Sequence, residues 1–210
     1  MFAIYFWSRT SWAKLTNWDK DLPKLTTGYR MFDSQSKLQQ FSGNLDNLKT
    51  GNAMFYYTAL SSWNTNMPSL QTSSKMFYAS SLTSFEGNID NLTNADDMFN
   101  YCSKLTSFKS DLISLTSGKN MFAYSKLDKE SILHIVNILK TKNTMNTSAY
   151  ITFGVDKSLQ WDEEVREALG IVPNSSQPGE KYSTEPRPYA SSSFTNKAGG
   201  KWNVTTYWNA

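Results

Sequence analysis

The sequence predicts an α/β solenoid, in which successive turns of the chain stack on one another and share one apolar core. The first observation is a Met-Phe dipeptide that recurs at intervals of 22 or 23 residues, beginning at residues 31, 54, 76, 98 and 121. The second is a set of apolar columns that runs up to each methionine, spaced three, four, three and six residues apart, as in Leu82, Phe85, Ile89, Leu92 and Met98. One such unit cannot cover its own apolar face, so the repeats are expected to be stable only as a stack.

A Leu-dominated period of this length is typical of leucine-rich repeats, in which each unit is a short strand followed by a return segment. We therefore expect a stack of about five to six 22–23-residue units over residues 15–127. The strand of each unit is predicted at the Leu-x-x-Phe/Trp step, because Thr, Ser and aromatic residues suit a half-buried pleated surface. These steps are residues 38–41, 60–63, 82–85 and 105–108.

A polar residue stands just before the third apolar column of every unit, and short amides and carboxylates of this kind bond to the backbone of turns. A calcium site is the alternative, but three of the five residues are Asn, and Ca²⁺ prefers charged oxygen ligands. We predict a structural column and no metal. The five residues are Asp21, Asn44, Asn66, Asn88 and Asp111.

Three further segments flank the repeats. Residues 1–14 lead into the first unit without a polar cap of their own. Residues 128–172 are predicted to be a C-terminal helix-strand-helix cap, with Asp128 and Asp162 beginning the two helices and Gly170 ending the second.

Residues 173–210 are predicted to be a Pro/Ser/Gly-rich arm that ends in a Trp-rich strand. The alternation of that strand places four residues on one side, where either the solenoid or another chain should cover them: Trp202, Val204, Thr206 and Trp208.

Composition excludes several classes of function. The net charge of +3 is not clustered, which argues against nucleic acid, and the apolar run at residues 2–7 is too short to span a membrane. Cys102, the single cysteine, is interpreted as a packing residue because it lies three residues before Leu105, in a column with Tyr57 and Tyr124. His134, the single histidine, is predicted at a helix surface. With no phosphate loop and no zinc spacing, we predict no catalytic residue, metal or cofactor, and a protein that is not an enzyme.

The segment Met98-Phe-Asn-Tyr-Cys-Ser-Lys-Leu-Thr-Ser-Phe108 resembles the repeat of the BspA-type leucine-rich repeat proteins of bacterial surfaces. The Met before Phe is nearer to the branch of that family found in gut bacteria and their phages. The resemblance covers roughly residues 15–172. It implies a non-enzymatic adhesion module, located extracellularly, on a cell surface or on a virion. Its partner would be a protein or glycan on a host or neighbouring cell.

Regular polar columns and a near-column of tyrosines are the predicted ligand-binding surface. Tyr78 and Tyr101 are candidate stacking platforms, whereas Tyr57 and Tyr124 are expected to be packed. The polar candidates are Gln39, Ser61, Thr83 and Thr106 in one column, and Ser42, Asn64, Glu86 and Lys109 in another.

The alternative function is a structural protein that docks to neighbouring virion subunits through its terminal arms. Its predicted contact residues are Trp202, Val204, Tyr207 and Trp208.

Overall fold

The computed structural model describes residues 15–142, 149–171 and 189–209. Within the repeats, five two-residue strands lie one repeat apart. The first pairs in parallel with the second, and the fourth pairs in parallel with the third and with the fifth. The register equals the sequence repeat, so that Ser84 pairs with Ser62 on one side and with Ser107 on the other. The strands are β1 (Asn17–Trp18), β2 (Gln40–Phe41), β3 (Ser62–Trp63), β4 (Ser84–Phe85) and β5 (Ser107–Phe108). Strands β2 to β5 fall inside the four predicted steps.

A second column of parallel bridges joins the repeats about ten residues further along each unit, and the sequence did not predict it. It links Thr27, Thr50, Thr72, Asn94 and Ser117. The last of these begins β6 (Ser117–Gly118). The repeats therefore contact one another along two separate lines, of which the first is interrupted between β2 and β3 and the second is continuous. The assignment of this stack to the leucine-rich repeat class stays a prediction.

Two ladders of aromatic rings fill the core. In the first, the phenylalanine after each methionine lies parallel to its neighbour, with ring centres 5.4 Å apart for Phe55 and Phe77 and 5.6 Å apart for Phe77 and Phe99. In the second, Phe85 stacks on Phe108 at 5.5 Å. The ladders meet edge to face, as at Phe85 and Phe99, whose planes are 69° apart. Offset and edge-to-face contacts are the favoured aromatic geometries, so the repeat places each ring in a favourable pair.

The first repeat is less well covered than the others. Leu15, Trp18, Leu22 and Met31 are only partly buried, whereas the matching residues of the central repeats are almost completely excluded from solvent. The lead-in predicted at residues 1–14 lies outside the described residues.

Helix α1 (Lys129–Thr141) follows the last repeat and closes the line of short strands. As predicted, Asp128 caps it, and its carboxylate accepts a hydrogen bond from the Ser131 backbone N–H at 2.8 Å. Ser131 then ties the helix to the stack, because its Oγ accepts the N–H of Phe108 at 2.8 Å.

The second line of bridges is continued by strands. β7 (Ala149–Asp156) pairs in parallel with β6, β9 (Lys201–Asn209) pairs in parallel with β7, and β8 (Tyr189–Thr195) pairs antiparallel with β9. The short helix α2 (Glu163–Ala168) begins after its N-cap Asp162. It is followed by Gly170 at φ +74°, as the sequence predicts for its end.

The predicted C-terminal arm is partly wrong, because β8 and β9 belong to the cap. Trp202, Val204, Thr206 and Trp208 do share one side of β9, as the alternation predicts, and all four are buried. The chain itself covers them, since Trp202, Val204 and Trp208 belong to the same apolar core as the repeats, and β7 pairs with the edge of the strand. The cap therefore includes residues 189–209, and residues 172–188 lie outside the described part of the chain.

Candidate recognition surface

A continuous row of tyrosine rings, here named the tyrosine strip, runs along the outside of the repeats. Ring centres are 5.0 Å apart for Tyr56 and Tyr78, 5.5 Å for Tyr78 and Tyr101, and 4.4 Å for Tyr101 and Tyr124. The row continues onto the cap. There Tyr124 stacks on Tyr207 of β9 at 5.5 Å between ring centres, and Tyr207 contacts Tyr189 of β8 at 6.2 Å. The strip comprises Tyr56, Tyr57, Tyr78, Tyr101, Tyr124, Tyr207 and Tyr189.

The backbone of the repeat places these rings outside. In every unit the third residue after the methionine has a left-handed backbone, and three of these residues are Tyr57, Tyr101 and Tyr124, with φ of 54°, 61° and 60°. This conformation is costly for a bulky side chain, and Gly or Asn adopts it more readily. Tyrosine at these positions therefore lowers stability locally, which favours a role for the rings other than packing.

The strip is well exposed for an aromatic surface. The exposed fraction is 51% for Tyr57, 48% for Tyr101, 44% for Tyr124 and 53% for Tyr189, while the other three rings are half-buried. A contiguous exposed aromatic patch on a folded protein is typical of an interaction site, because Tyr supplies a large contact area with few rotatable bonds.

Three phenols of the strip have a raised pKa. Partial burial, followed by the neighbouring Tyr57, raises the pKa of Tyr56, and partial burial raises the pKa of Tyr78 as well. The hydrogen bond with Tyr124 is the main cause that raises the pKa of Tyr101. These three phenols therefore offer a partner uncharged hydroxyl groups at physiological pH.

The prediction that Tyr57 and Tyr124 are packed beside Cys102 is wrong. The structural neighbours of Cys102 in the adjacent repeats are the buried Ser80, whose Oγ lies 3.3 Å from the Cys102 Sγ, and the buried Ser125. Repeats differ in length between the methionine and the next leucine, so counting back from the leucine shifts the register by one residue. Counting forward from the methionine gives the structural column.

Cys102 itself is a packing residue, as predicted. Its thiol is buried, donates to the carbonyl oxygen of Phe77 at 3.0 Å, and has its pKa raised by burial to about 11. His134 lies on α1, half-buried, with its Nε2 3.2 Å from an Asp111 carboxylate oxygen. Cys102 and His134 thus have different polar partners.

The two predicted polar columns are exposed, and part of their hydrogen-bonding capacity is already used. The Thr83 hydroxyl donates to the carbonyl of Ser61 at 2.9 Å, and the Thr106 hydroxyl donates to the carbonyl of Thr83 at 3.4 Å. In the other column, Lys109 and Glu86 form an ion pair at 3.4 Å. The remaining predicted residues, Gln39, Ser42 and Asn64, are exposed.

The structure does not bring all the predicted ligand-binding residues together. The column that contains Thr106 ends against α1, since the Asp128 N–H donates to the Thr106 carbonyl at 2.9 Å. Tyr78 and Tyr101 belong to the tyrosine strip, which ends against β9 and β8. The polar columns and the tyrosines are therefore two different surfaces of the stack.

The Asn/Asp column has the backbone role that the sequence predicts. The carboxylate of Asp21 accepts the N–H of Asn44 at 2.9 Å, and the side-chain oxygen of Asn66 accepts the N–H of Asn88 at 3.0 Å. These two side chains join one turn to the next, whereas the side-chain oxygens of Asn44 and Asn88 accept the backbone N–H two residues further on in their own turn. Among the described residues, no group of three or more His, Cys, Asp or Glu side chains is placed to hold a metal ion.

The predicted partner-docking residues are largely inaccessible. Trp202, Val204 and Trp208 are buried against the chain's own core, so their prediction as contacts to another subunit is wrong. Tyr207, on the opposite side of β9, remains half-exposed and forms part of the tyrosine strip.

Comparison of the chain with family models, with curated proteins and with solved structures finds no match in any of the three. Within the described ranges, no helix has both the length and the apolar character needed to cross a membrane.

Proposed function

We propose that the chain is a BspA-type leucine-rich repeat solenoid that acts as a non-enzymatic recognition module. It binds a protein or glycan on a host or neighbouring cell, and it is presented extracellularly on a bacterial surface or a phage virion. It needs no cofactor and contacts no nucleic acid.

The tyrosine strip is the observation that carries this proposal. Its position across the second to fifth Met-Phe units and onto the cap gives an extended contact line rather than a small cleft, which suits a macromolecular partner. Its rings are exposed at a local cost in backbone energy, as described for Tyr57 and Tyr101. Tyrosine is also enriched among the residues that dominate binding energy at protein interfaces.

The test is a binding assay of the full chain on an immobilised glycan array and on a panel of purified extracellular-matrix proteins. The strip variant is Tyr57→Asn with Tyr101→Asn, because Asn tolerates the left-handed backbone at both positions and already adopts such a backbone at Asn120, the residue before the last methionine of the repeats. The matched control is Gln39→Ala with Asn64→Ala, which changes two exposed residues of the polar columns.

We expect the strip variant to lose at least ten-fold in affinity for whichever probe the wild type binds, which corresponds to about 1.4 kcal/mol. The control variant should bind as the wild type does. Equal binding by the strip variant, with loss in the control, would move the recognition site to the polar columns. Wild-type chain that binds nothing in either panel would count against the adhesion proposal.

The structural-assembly alternative loses its predicted contact strand, because Trp202 and Trp208 are internal. Removing residues 173–210 is consequently a poor way to separate the two functions, since it would take away β9 and uncover β7. The substitutions in the strip, which leave the cap intact, separate them without this complication.

A further inference from the structure

We propose that Tyr101 and Tyr124 form an oxidative cross-linking site, at which the two phenol rings couple into a dityrosine that joins neighbouring repeats. This inference goes beyond the recognition function and does not rest on it. The ring centres are 4.4 Å apart and the ring planes differ by 17°, and no other described pair of aromatic rings is closer. Holding two reacting groups at contact distance replaces a collision between molecules by a local step.

Both rings can be reached by an oxidant. Close to half of each residue is exposed to solvent, at 48% for Tyr101 and 44% for Tyr124. The backbone beneath them is fixed, because the Tyr101 N–H donates to the carbonyl of Ala123 at 2.9 Å. The side chains can therefore turn to couple while the two repeats keep their register.

The coupling needs only a peroxide and a haem peroxidase as the oxidising system. Each phenol gives up one electron and its hydroxyl proton, which leaves two phenoxyl radicals. A carbon–carbon bond forms between the ring carbons ortho to the two oxygens, and each of these carbons then releases a proton as the oxygens regain theirs. The pair loses two hydrogen atoms in total, and one hydrogen peroxide is reduced to two water molecules.

Other tyrosine pairs are less favourable. Tyr56 and Tyr78 are 5.0 Å apart and are both half-buried, and Tyr124 and Tyr207 are 5.5 Å apart. Coupling at Tyr101 and Tyr124 would place a covalent bond between the fourth and fifth Met-Phe units, on the outside of the stack.

The experiment treats the full chain, at a concentration low enough to keep it monomeric, with horseradish-type peroxidase and hydrogen peroxide. The products are analysed by dityrosine fluorescence and by mass spectrometry of proteolytic peptides. We expect a single-chain product two hydrogen atoms lighter, whose main linked peptide contains Tyr101 and Tyr124. Tyr101→Phe and Tyr124→Phe should each abolish that peptide, and Tyr29→Phe, at an exposed tyrosine outside the strip, should leave its yield unchanged.

Two further measurements keep the test independent of the variants. The same reaction in concentrated guanidinium should lose the Tyr101–Tyr124 linkage, because the proximity depends on the fold. The linked product should also have a higher Tm than the untreated chain. The proposal is overturned if the main linkage joins a different pair, if it forms only between chains, or if the unfolded chain gives the same yield.

Discussion

At the scale of single residues, the buried leucine columns contribute strongly to stability. Leu82 is fully buried between neighbouring repeats, and its truncation would leave a cavity that a close-packed stack cannot fill. We expect Leu82→Ala to lower the free energy of unfolding by about 2–5 kcal/mol. Urea denaturation measures this, with the exposed neighbour Thr83→Ala as control. A loss below about 1 kcal/mol would show that the column is not tightly packed.

The left-handed turn positions give a prediction of opposite sign. Ala79 has φ +53°, where a Cβ atom is unfavourable and glycine is not. We expect Ala79→Gly to raise the free energy of unfolding by about 0.5 kcal/mol, since relief of strain exceeds the added entropy of the unfolded chain. The paired control is Ala168→Gly in α2, which should lower it by roughly 1 kcal/mol. Thermal unfolding of both variants decides whether the turns are strained.

The positions of single residues were predicted correctly from the sequence where the residues of one column have the same environment in every repeat. The leucines, the phenylalanine after each methionine and the Asn/Asp column all lie where their spacing indicates. Tyr57 and Tyr124 were placed wrongly because the repeats differ by one residue in length between the methionine and the next leucine. The column to which a tyrosine is assigned therefore depends on whether positions are counted from the methionine or from the leucine. The signal that could have found the strip is the distance of each tyrosine from the preceding methionine, two or three residues in every case within the repeats.

At the scale of secondary-structure elements, Gly154 is the residue that lets β7 lie against the last repeat. A Cβ atom there would be 2.2 Å from the Phe122 carbonyl oxygen and 2.6 Å from the Ser125 nitrogen, both backbone atoms that cannot move independently. We expect Gly154→Ala to cost about 3 kcal/mol and to lower amide-exchange protection in β7 and β9 before the repeats are affected.

Gly118→Ala is the matched control for that prediction. Its added Cβ would have its nearest neighbours at 3.4 Å, in the side chains of Leu115 and Met121, which is ordinary contact. We expect a change of less than about 1 kcal/mol. Similar losses in the two variants would mean that the close approach at Gly154 is relieved by a small movement of β7.

Elements with their own local signals were predicted, and elements that depend on distant pairing were not. Helix α1 has a cap and an apolar spacing that are visible in the sequence, and its N-cap is Asp128 as expected. The alternation of β9 was also visible. That β9 inserts beside β7 could not be read from it, because parallel pairing across about fifty residues of chain leaves no local pattern.

At the scale of the whole molecule, one buried lysine makes stability depend on alkaline pH. Lys142 lies between the stack and the cap, where its Nζ donates to the carbonyl of Leu115 and is 5.4 Å from the centre of the Trp202 ring. Burial lowers its pKa from 10.5 to about 8. Above pH 8 the folded chain has released a proton that the unfolded chain still binds, so stability should rise with pH, by roughly 1 kcal/mol per unit at most.

The rise should end near pH 9, because the buried Cys102 thiol, whose pKa is raised from 9.0 to about 11, ionises first in the unfolded chain. The raised pKa of Tyr56 and of Tyr78 acts in the same direction near pH 10, because the unfolded phenols also ionise first. Urea unfolding between pH 7 and 11 measures the profile. Lys142→Met should remove most of the rise, since Lys140, whose pKa is also lowered by burial, still contributes, and Lys104→Met, at an exposed position, should retain it. Wild-type stability that falls steadily above pH 8 would contradict the buried position of this ammonium group.

The parallel register of the turns has a further consequence for how such a protein can evolve. Since every turn of this chain repeats the backbone of the one before, duplicating a segment such as residues 76–97 would add one rung to the outer row of rings without redesigning either end. The reach of the molecule, and the number of simultaneous weak contacts it makes, could thus be adjusted in whole steps by unequal recombination alone, with chemistry and partner preference left as they were.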